Sequence, residues 1–228
     1  KMIRVFDFLL SSVSIILLLP VFIPVVLALR FTGEGEVFYK QKRVGQGGKD
    51  FYLFKFATML KDSPFIGTGT ITLKNDPRIL PFGKFLRLTK INELPQLFNI
   101  FNGDMSIIGP RPLTPGNFSF YDSKSQSIIK SVPPGLSGIG SVIFRSEEEI
   151  LGNAKSVKEV YANQIAPYKA ALECWYVENR SLWLNLILIF ETILAVIMPG
   201  RTQTSFLISK KIPPMPSGLF LLFNNYKK

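Results

Sequence analysis

The stretch Phe8–Leu29, FLLSSVSIILLLPVFIPVVLAL, governs how the rest of the chain is read. Its 22 residues carry no charge and lie between Asp7 and Arg30. As a helix rising about 1.5 Å per residue, it is just long enough to cross a hydrocarbon core about 30 Å thick. Pro20 and Pro24 stand one turn apart within it. Each removes a backbone donor and crowds the carbonyl four residues earlier, so a sharp bend is expected, with two halves too short to span alone. Two readings follow from these residues: a kinked spanning helix, or a helix that enters the bilayer and returns to the same face. No small-x-small cleavage site follows Leu29, so the segment does not read as a signal peptide.

Composition narrows the chemistry. The 228 residues suit one domain with an appended element. Histidine is absent and Cys174 is the single cysteine. Ser-His-Asp and Cys-His nucleophile pairs, HExxH zinc sites, CxxC redox centres and intrachain disulfides are therefore excluded. Carboxylates, amines, guanidinium groups, hydroxyls and a hard metal remain. Lysine and arginine outnumber aspartate and glutamate 27 to 16, a net charge of +11, so the partner should be anionic. With 47% hydrophobic residues and 20 phenylalanines, the chain reads as a binder of an anionic membrane surface rather than of nucleic acid.

Beyond Arg30, EVFYKQKRV and DFYLFKFAT flank Gly45–Gly48 and predict a β-hairpin. The Gly-, Pro-, Ser- and Thr-rich SPFIGTGTITLKNDPRIL predicts a loop leading to a short helix, FGKFLRL. In INELPQLFNIFNGD, Leu94, Leu97, Phe98 and Phe101 recur at helical spacing, with Asn92 as N-cap and Gly103 as stop. GPRPLTPG reads as a rigid turn and SVPPGLSGIGSVIFR as a loop ending in a short strand. Glu147–Asn179 has a helical pattern, and Leu182–Met198 reads as an interfacial or core helix because Asn185 and Glu191 interrupt its apolar run. The tail after Gly200 loses periodicity and closes with an apolar patch and two lysines that are expected to touch the bilayer.

The residues fit for chemistry lie mostly in turns. Arg43, Lys55, Arg78, Arg87, Arg111 and Arg145 sit beside glycine, proline or aromatic residues. Guanidinium forks match phosphate oxygens at two points, which suits them to a phosphate-rich ligand. Asp76, Glu93 and Asp104 could supply oxygens to Mg²⁺, although Asp104 better fits a bond to backbone amides of its own turn. Glu93 and Asn92 open a predicted helix, where N–H groups favour a carboxylate and a nearby phosphate. Phe51, Tyr52, Phe54 and Phe56 interleave with Lys49 and Lys55, a pattern that a half-buried hairpin also produces, so no nucleic-acid partner is assigned.

RVFDFLLSSVSIILLLP, FYKQKRVGQGGKDFYLFKFATM, NDPRILPFGKFLRLTKINELPQLFNIFNGDMSIIGPRPL, PGLSG and YVENRSLWLNLILIF, in this order, resemble the bacterial sugar transferase family over about residues 1–200. The resemblance implies a monotopic phosphoglycosyl transferase that moves a sugar-1-phosphate from a UDP-sugar to polyprenyl phosphate, usually undecaprenyl phosphate. It implies Mg²⁺ dependence, a covalent phospho-sugar enzyme, the cytoplasmic face of the bacterial inner membrane, and downstream glycosyltransferases as partners. The implied architecture is α+β and predominantly helical. It comprises a proline-broken re-entrant helix at 1–31, a cytoplasmic catalytic domain with a β-hairpin and interfacial amphipathic helices at 32–200, and a tail at 201–228. Lys55, Arg78, Arg87, Arg111 and Arg145 would hold substrate phosphate, Glu93 and Asp76 the metal, and Asn92 with Glu93 the catalytic position.

Four positions depart from the family pattern: Asn92 for the nucleophilic Asp, Ala57 for an Arg, Leu19 for the Ser before the helix-breaking proline, and Asn185 for an Asp. An amide cannot form the acyl-phosphate. Three routes stay open: Glu93 attacks with Asn92 orienting it or the substrate, polyprenyl phosphate attacks directly, or the chain is an inactive member that scaffolds lipid intermediates or glycosyltransferases.

Overall fold

The computed structural model describes residues 1–67, 72, 76–145, 147, 157–198 and 211–220. Helix α1 (Met2–Phe31) is apolar almost throughout and contains both prolines. Its backbone stays helical from Met2 to Phe31. Pro20 and Pro24 each lack the N–H that would reach the carbonyl four residues back, but the neighbouring turns keep their bonds and the helix continues through both.

Two strands follow, β1 (Phe38–Val44) and β2 (Asp50–Phe56), antiparallel with Phe38 opposite Phe56 and Val44 opposite Asp50. Then come α2 (Pro81–Leu88), a 3₁₀ turn at Ile91–Glu93 and α3 (Gln96–Asn102). Asn92 therefore does not cap a helix. Pro95 has no N–H to give the Ile91 carbonyl, so the chain winds through tighter bonds, Glu93 N–H to Lys90 O and Leu94 N–H to Ile91 O, before α3 begins. Asn99, fully buried on α3, takes the place of a neighbouring strand on β2: its amide accepts from Phe54 N at 3.0 Å and donates to Tyr52 O at 2.8 Å.

Strand β3 (Ser106–Ile108) lies parallel to β4 (Gly135–Ser137), with α4 (Pro115–Phe118) and α5 (Ser123–Ile129) between them in sequence. A Cβ on Gly135 would lie 2.1 Å from Gly109 N, so the PGLSG glycine is what lets the two segments cross so closely. The segment that closes this loop is a helix, α6 (Ile139–Ile143), where a strand was expected. It pairs with no strand and packs its apolar side chains into the main core instead.

Helix α7 (Val157–Val160) continues through a π-helical turn at Tyr161–Ile165 into α8 (Ala166–Glu178), and α9 (Leu182–Ile197) follows. Most of the tail lies outside the described residues. Its described part packs back on the body: Leu219 is buried in the main core and Tyr168 Oη donates to Pro213 O at 3.0 Å.

Both ends of α1 dock on this one body. Near its start, Arg4 donates to Ile100 O and Phe101 O, and Asp7, buried, accepts from Ser106 Oγ at 2.7 Å and Ile107 N at 3.1 Å. Near its end, Phe22, Val25 and Leu29 join Phe56 and Leu86 in a core cluster. The opposite side of α1 exposes Val5, Leu9, Val13, Ile16, Leu17, Ile23 and Leu27, and α9 exposes Trp183, Leu186, Phe190, Ile193 and Ile197 at alternating three- and four-residue spacing.

Candidate active site

Strand alternation builds one wall of the site. Successive side chains point to opposite faces, so Tyr39, Gln41 and Arg43 of β1 share a face with Lys55 of β2, which stands opposite Tyr39. All four line a cavity of about 930 Å³. The turn before α3 adds Lys90, Asn92 and Glu93; α2 adds Arg87; the turn after β3 adds Arg111; and α6 and its C-terminal extension add Ser141 and Arg145. Ile189, Ile193 and Val196 of α9 give the same cavity an apolar wall.

Glu93 lies among the basic residues of the cavity, whose lining also includes Glu36 and Glu147. Removal from water would push Glu93 up, but Lys55, Lys90, Arg111 and Arg87 prevail and hold it below the usual carboxylate range. Lys55 shows the converse: burial, together with Arg43, Arg111 and Arg87, pushes it down to about 7 against the pull of Glu93. Burial and then Arg111 likewise push Arg43 down to about 10. The region is short of negative charge, a deficit that an anionic ligand would fill. Asn92, 5% exposed, has a buried Oδ1 without a partner among the described residues. Lys90 adopts φ 61°, the left-handed region, costing about 1–2 kcal/mol. It redirects the chain between α2 and the Glu93 turn.

Arg111 reaches the cavity from between two prolines. Its Nη1 donates to Ser141 Oγ at 3.3 Å and its backbone N–H to Glu173 Oε1 at 3.2 Å. Behind it, buried Lys169 pairs with Glu147 at 2.6 Å and lies 5.0 Å over the Phe144 ring and 5.6 Å over that of Tyr161.

The structure thus gathers Lys55, Arg87, Asn92, Glu93, Arg111 and Arg145 around one cavity and leaves Asp76 and Arg78 out of its lining. Arg78 Nε donates to Asp76 Oδ1 at 2.8 Å and Nη1 to Ser63 O and Ile66 O, each at 2.7 Å, with both side chains buried. In this structure the guanidinium and the carboxylate are engaged with each other. Asp104 also lies off the cavity, accepting from Asn99 Nδ2 at 3.3 Å rather than from backbone amides.

The profile of the family described as bacterial sugar transferase matches residues 1–199. The chain belongs to the bacterial sugar transferase family. It is 33% identical over 207 residues to the exopolysaccharide production protein ExoY of Rhizobium meliloti (strain 1021), covering 85% of this chain and 84% of that one. It is 32% identical over 194 residues to a UDP-glucose:undecaprenyl-phosphate glucose-1-phosphate transferase of Xanthomonas campestris pv. campestris, covering 84% of this chain and 38% of that one. It is 30% identical over 203 residues to an undecaprenyl-phosphate galactose phosphotransferase of Salmonella typhimurium, covering 83% and 39% respectively. The chain therefore spans under half the length of those two named transferases.

The family departures now have places. Ala57 is buried on the cavity wall, Asn185 lies at hydrogen-bond distance, 2.8 Å, from Tyr176 Oη in the core, and Leu19 is exposed on α1. Reasoning from sequence missed Lys90, Glu147, Lys169 and Glu173. The last two had a usable signal, because they stand four residues apart on a helix among buried Ala170, Leu172 and Tyr176.

Proposed function

We propose that this chain transfers a sugar-1-phosphate from a UDP-sugar to polyprenyl phosphate at the cytoplasmic face of the bacterial inner membrane, releasing UMP. The observation that carries the reading is the Glu93 carboxylate, held ionised among Lys55, Lys90, Arg87 and Arg111 in a cavity with an apolar wall. The cations bind the diphosphate and Glu93 attacks the sugar-bearing phosphorus. The bond from that phosphorus to the bridging oxygen breaks, and the electron pair leaves with UMP. An oxygen of polyprenyl phosphate then attacks the same phosphorus and expels the Glu93 carboxylate. Asn92, whose buried Oδ1 lacks a partner among the described residues, orients Glu93 or the substrate.

Mg²⁺, when bound, would neutralise charge on the diphosphate oxygens. It commonly takes one or two carboxylates plus substrate phosphates, a donor set that Glu93, on the cavity lining, fits. The docking of both α1 ends on one body, beneath an apolar outer face, supports a helix that lies in one leaflet rather than crossing. The apolar outer face of α9 supports the same placement, at an anionic lipid surface. With Lys1→Cys and Arg30→Cys in a Cys174→Ser background, both sites should be labelled only from the cytoplasmic side.

The deciding experiment incubates purified protein in detergent with polyprenyl phosphate, Mg²⁺ and a panel of UDP-sugars. At least one donor should yield UMP and a polyprenyl diphosphosugar. No release from any donor, together with rescue by Asn92→Asp, would mark a decayed enzyme acting as a scaffold.

A further inference from the structure

We infer that Glu173 of α8 is a positioning residue for Arg111, fixing the turn between Pro110 and Pro112 so that the guanidinium faces the anion site. Because proline has no N–H, Arg111 carries the only backbone donor of this three-residue stretch. Glu173 Oε1 takes it at 3.2 Å. One turn further along α8, Tyr176 Oη donates to Ile108 O at 3.0 Å. The same face of α8 therefore holds the chain at residues 108 and 111, the end of β3 and the arginine itself.

A second contact runs through Gly140. A Cβ there would lie 2.4 Å from Glu173 Oε1, so the α6 backbone comes closer to this carboxylate than any other residue would allow. The next residue, Ser141, receives Arg111 Nη1 at 3.3 Å. Both ends of Arg111 are thus referenced to one carboxylate, its N–H directly and its guanidinium through Gly140 and Ser141. Glu173 is 2% exposed and its Oε2 has no partner among the described residues, an unfavourable placement for a carboxylate that served packing alone. It does not line the cavity, so it acts through Arg111 and not on substrate. Burial pushes it up to about 7, opposed by the Arg111 N–H, Lys169 and the Arg111 guanidinium, with Tyr121 and Tyr176 as further titratable groups that feel its charge.

The inference rests on the transferase reading only for the identity of the anion, so its test uses inorganic pyrophosphate and calorimetry in place of turnover. Glu173→Leu should weaken pyrophosphate binding about 10–100-fold, the range for losing a hydrogen bond to a charged group. Glu173→Gln, isosteric and still an acceptor, should stay within about threefold. In an Arg111→Ala background Glu173→Leu should add almost nothing, whereas in Arg87→Ala it should keep its full effect. Should Glu173→Leu fail to fold, Gly140→Ala, which presses on Oε1, replaces it in the same cycle.

Equal losses in both backgrounds, a Glu173→Gln defect as large as that of Leu, or no pyrophosphate binding by the wild type would overturn the assignment. A protein that shows the coupling yet transfers no sugar would refute the transferase reading and leave Glu173 positioning Arg111.

Discussion

Arg78 and Arg111 occupy turns that look alike in sequence, Asp76-Pro77-Arg78 and Gly109-Pro110-Arg111-Pro112, and they end in opposite states. Arg78 is buried, with its donors engaged by Asp76, Ser63 O and Ile66 O. Arg111 is anchored through its backbone by Glu173 and presents its guanidinium to the cavity. A proline beside an arginine therefore says that the residue is held, not what it is held for. That depends on whether nearby acceptors meet the side chain or the main chain. A carboxylate two residues away closes on the guanidinium itself, whereas one from a distant helix takes the N–H and leaves the fork open.

The largest expected effect concerns the group that the open turn faces. Glu93→Gln is nearly isosteric, and it should lower kcat/KM at least about 1,000-fold if the carboxylate attacks phosphorus. A labelled phospho-sugar adduct mapped to Glu93 by mass spectrometry would separate attack from metal binding. Retention of more than about a tenth of wild-type activity, a loss under roughly 1.4 kcal/mol, would remove Glu93 from either role.

The next effect separates the two turns directly. Arg111→Lys should keep the melting temperature and lose about 10–100-fold in kcat/KM, because lysine lacks the planar two-point contact. Arg78→Leu should do the reverse. It removes the buried guanidinium that pairs with Asp76, a cost of about 3–5 kcal/mol read by denaturant unfolding, while the folded fraction keeps its turnover. If Arg78→Leu costs activity at unchanged stability, the distinction between the turns is wrong.

Legibility from sequence followed the range of the forces involved. The hairpin, α2 and α9 were readable because alternation, helical spacing and glycine turns act locally. So was the basic character of Lys55, Arg87, Arg111 and Arg145, since residue type alone carries it. The Asp76–Arg78 pair was not, because the carbonyls of Ser63 and Ile66 that complete it come from a neighbouring loop. The start of α3 was misread because Asn92 resembles a cap, while the missing N–H of Pro95 moved the helix to Gln96. Glu173 is 62 residues from its partner Arg111, and no local pattern reports that contact.

A smaller effect tests whether the open turn is also held from the membrane side. Asp7 of α1 accepts from Ser106 Oγ and Ile107 N, so the strand leading to Arg111 is tied to the apolar helix, and the Arg78 turn is not. Asp7→Ala should cost about 2–3 kcal/mol through the lost charged hydrogen bonds. Hydrogen exchange should quicken at the Ile107 amide and stay unchanged at Arg78.

The smallest effect is a pH dependence, and its sign identifies its source. Lys55 lies low, at about 7, chiefly through burial and with Arg43, Arg111 and Arg87 adding to it against Glu93. It therefore loses its charge as pH rises through about 7, and phosphate affinity should fall by up to about tenfold between pH 6 and pH 8. Bound phosphate would pull the amine back up, so the falling limb belongs to kcat/KM, which reports the free enzyme, and not to kcat. Lys55→Arg keeps its charge across this range and should flatten the limb. Glu173, also near 7, gains charge over the same range and would strengthen its hold on Arg111, so its limb rises. Stability also runs the other way: between about 7 and the ordinary lysine value of 10.5 the unfolded chain holds the extra proton, so higher pH favours the folded state through Lys55. A falling kcat/KM with a steady or rising melting temperature would place the titration at Lys55, and a limb that persists in Lys55→Arg would place it elsewhere.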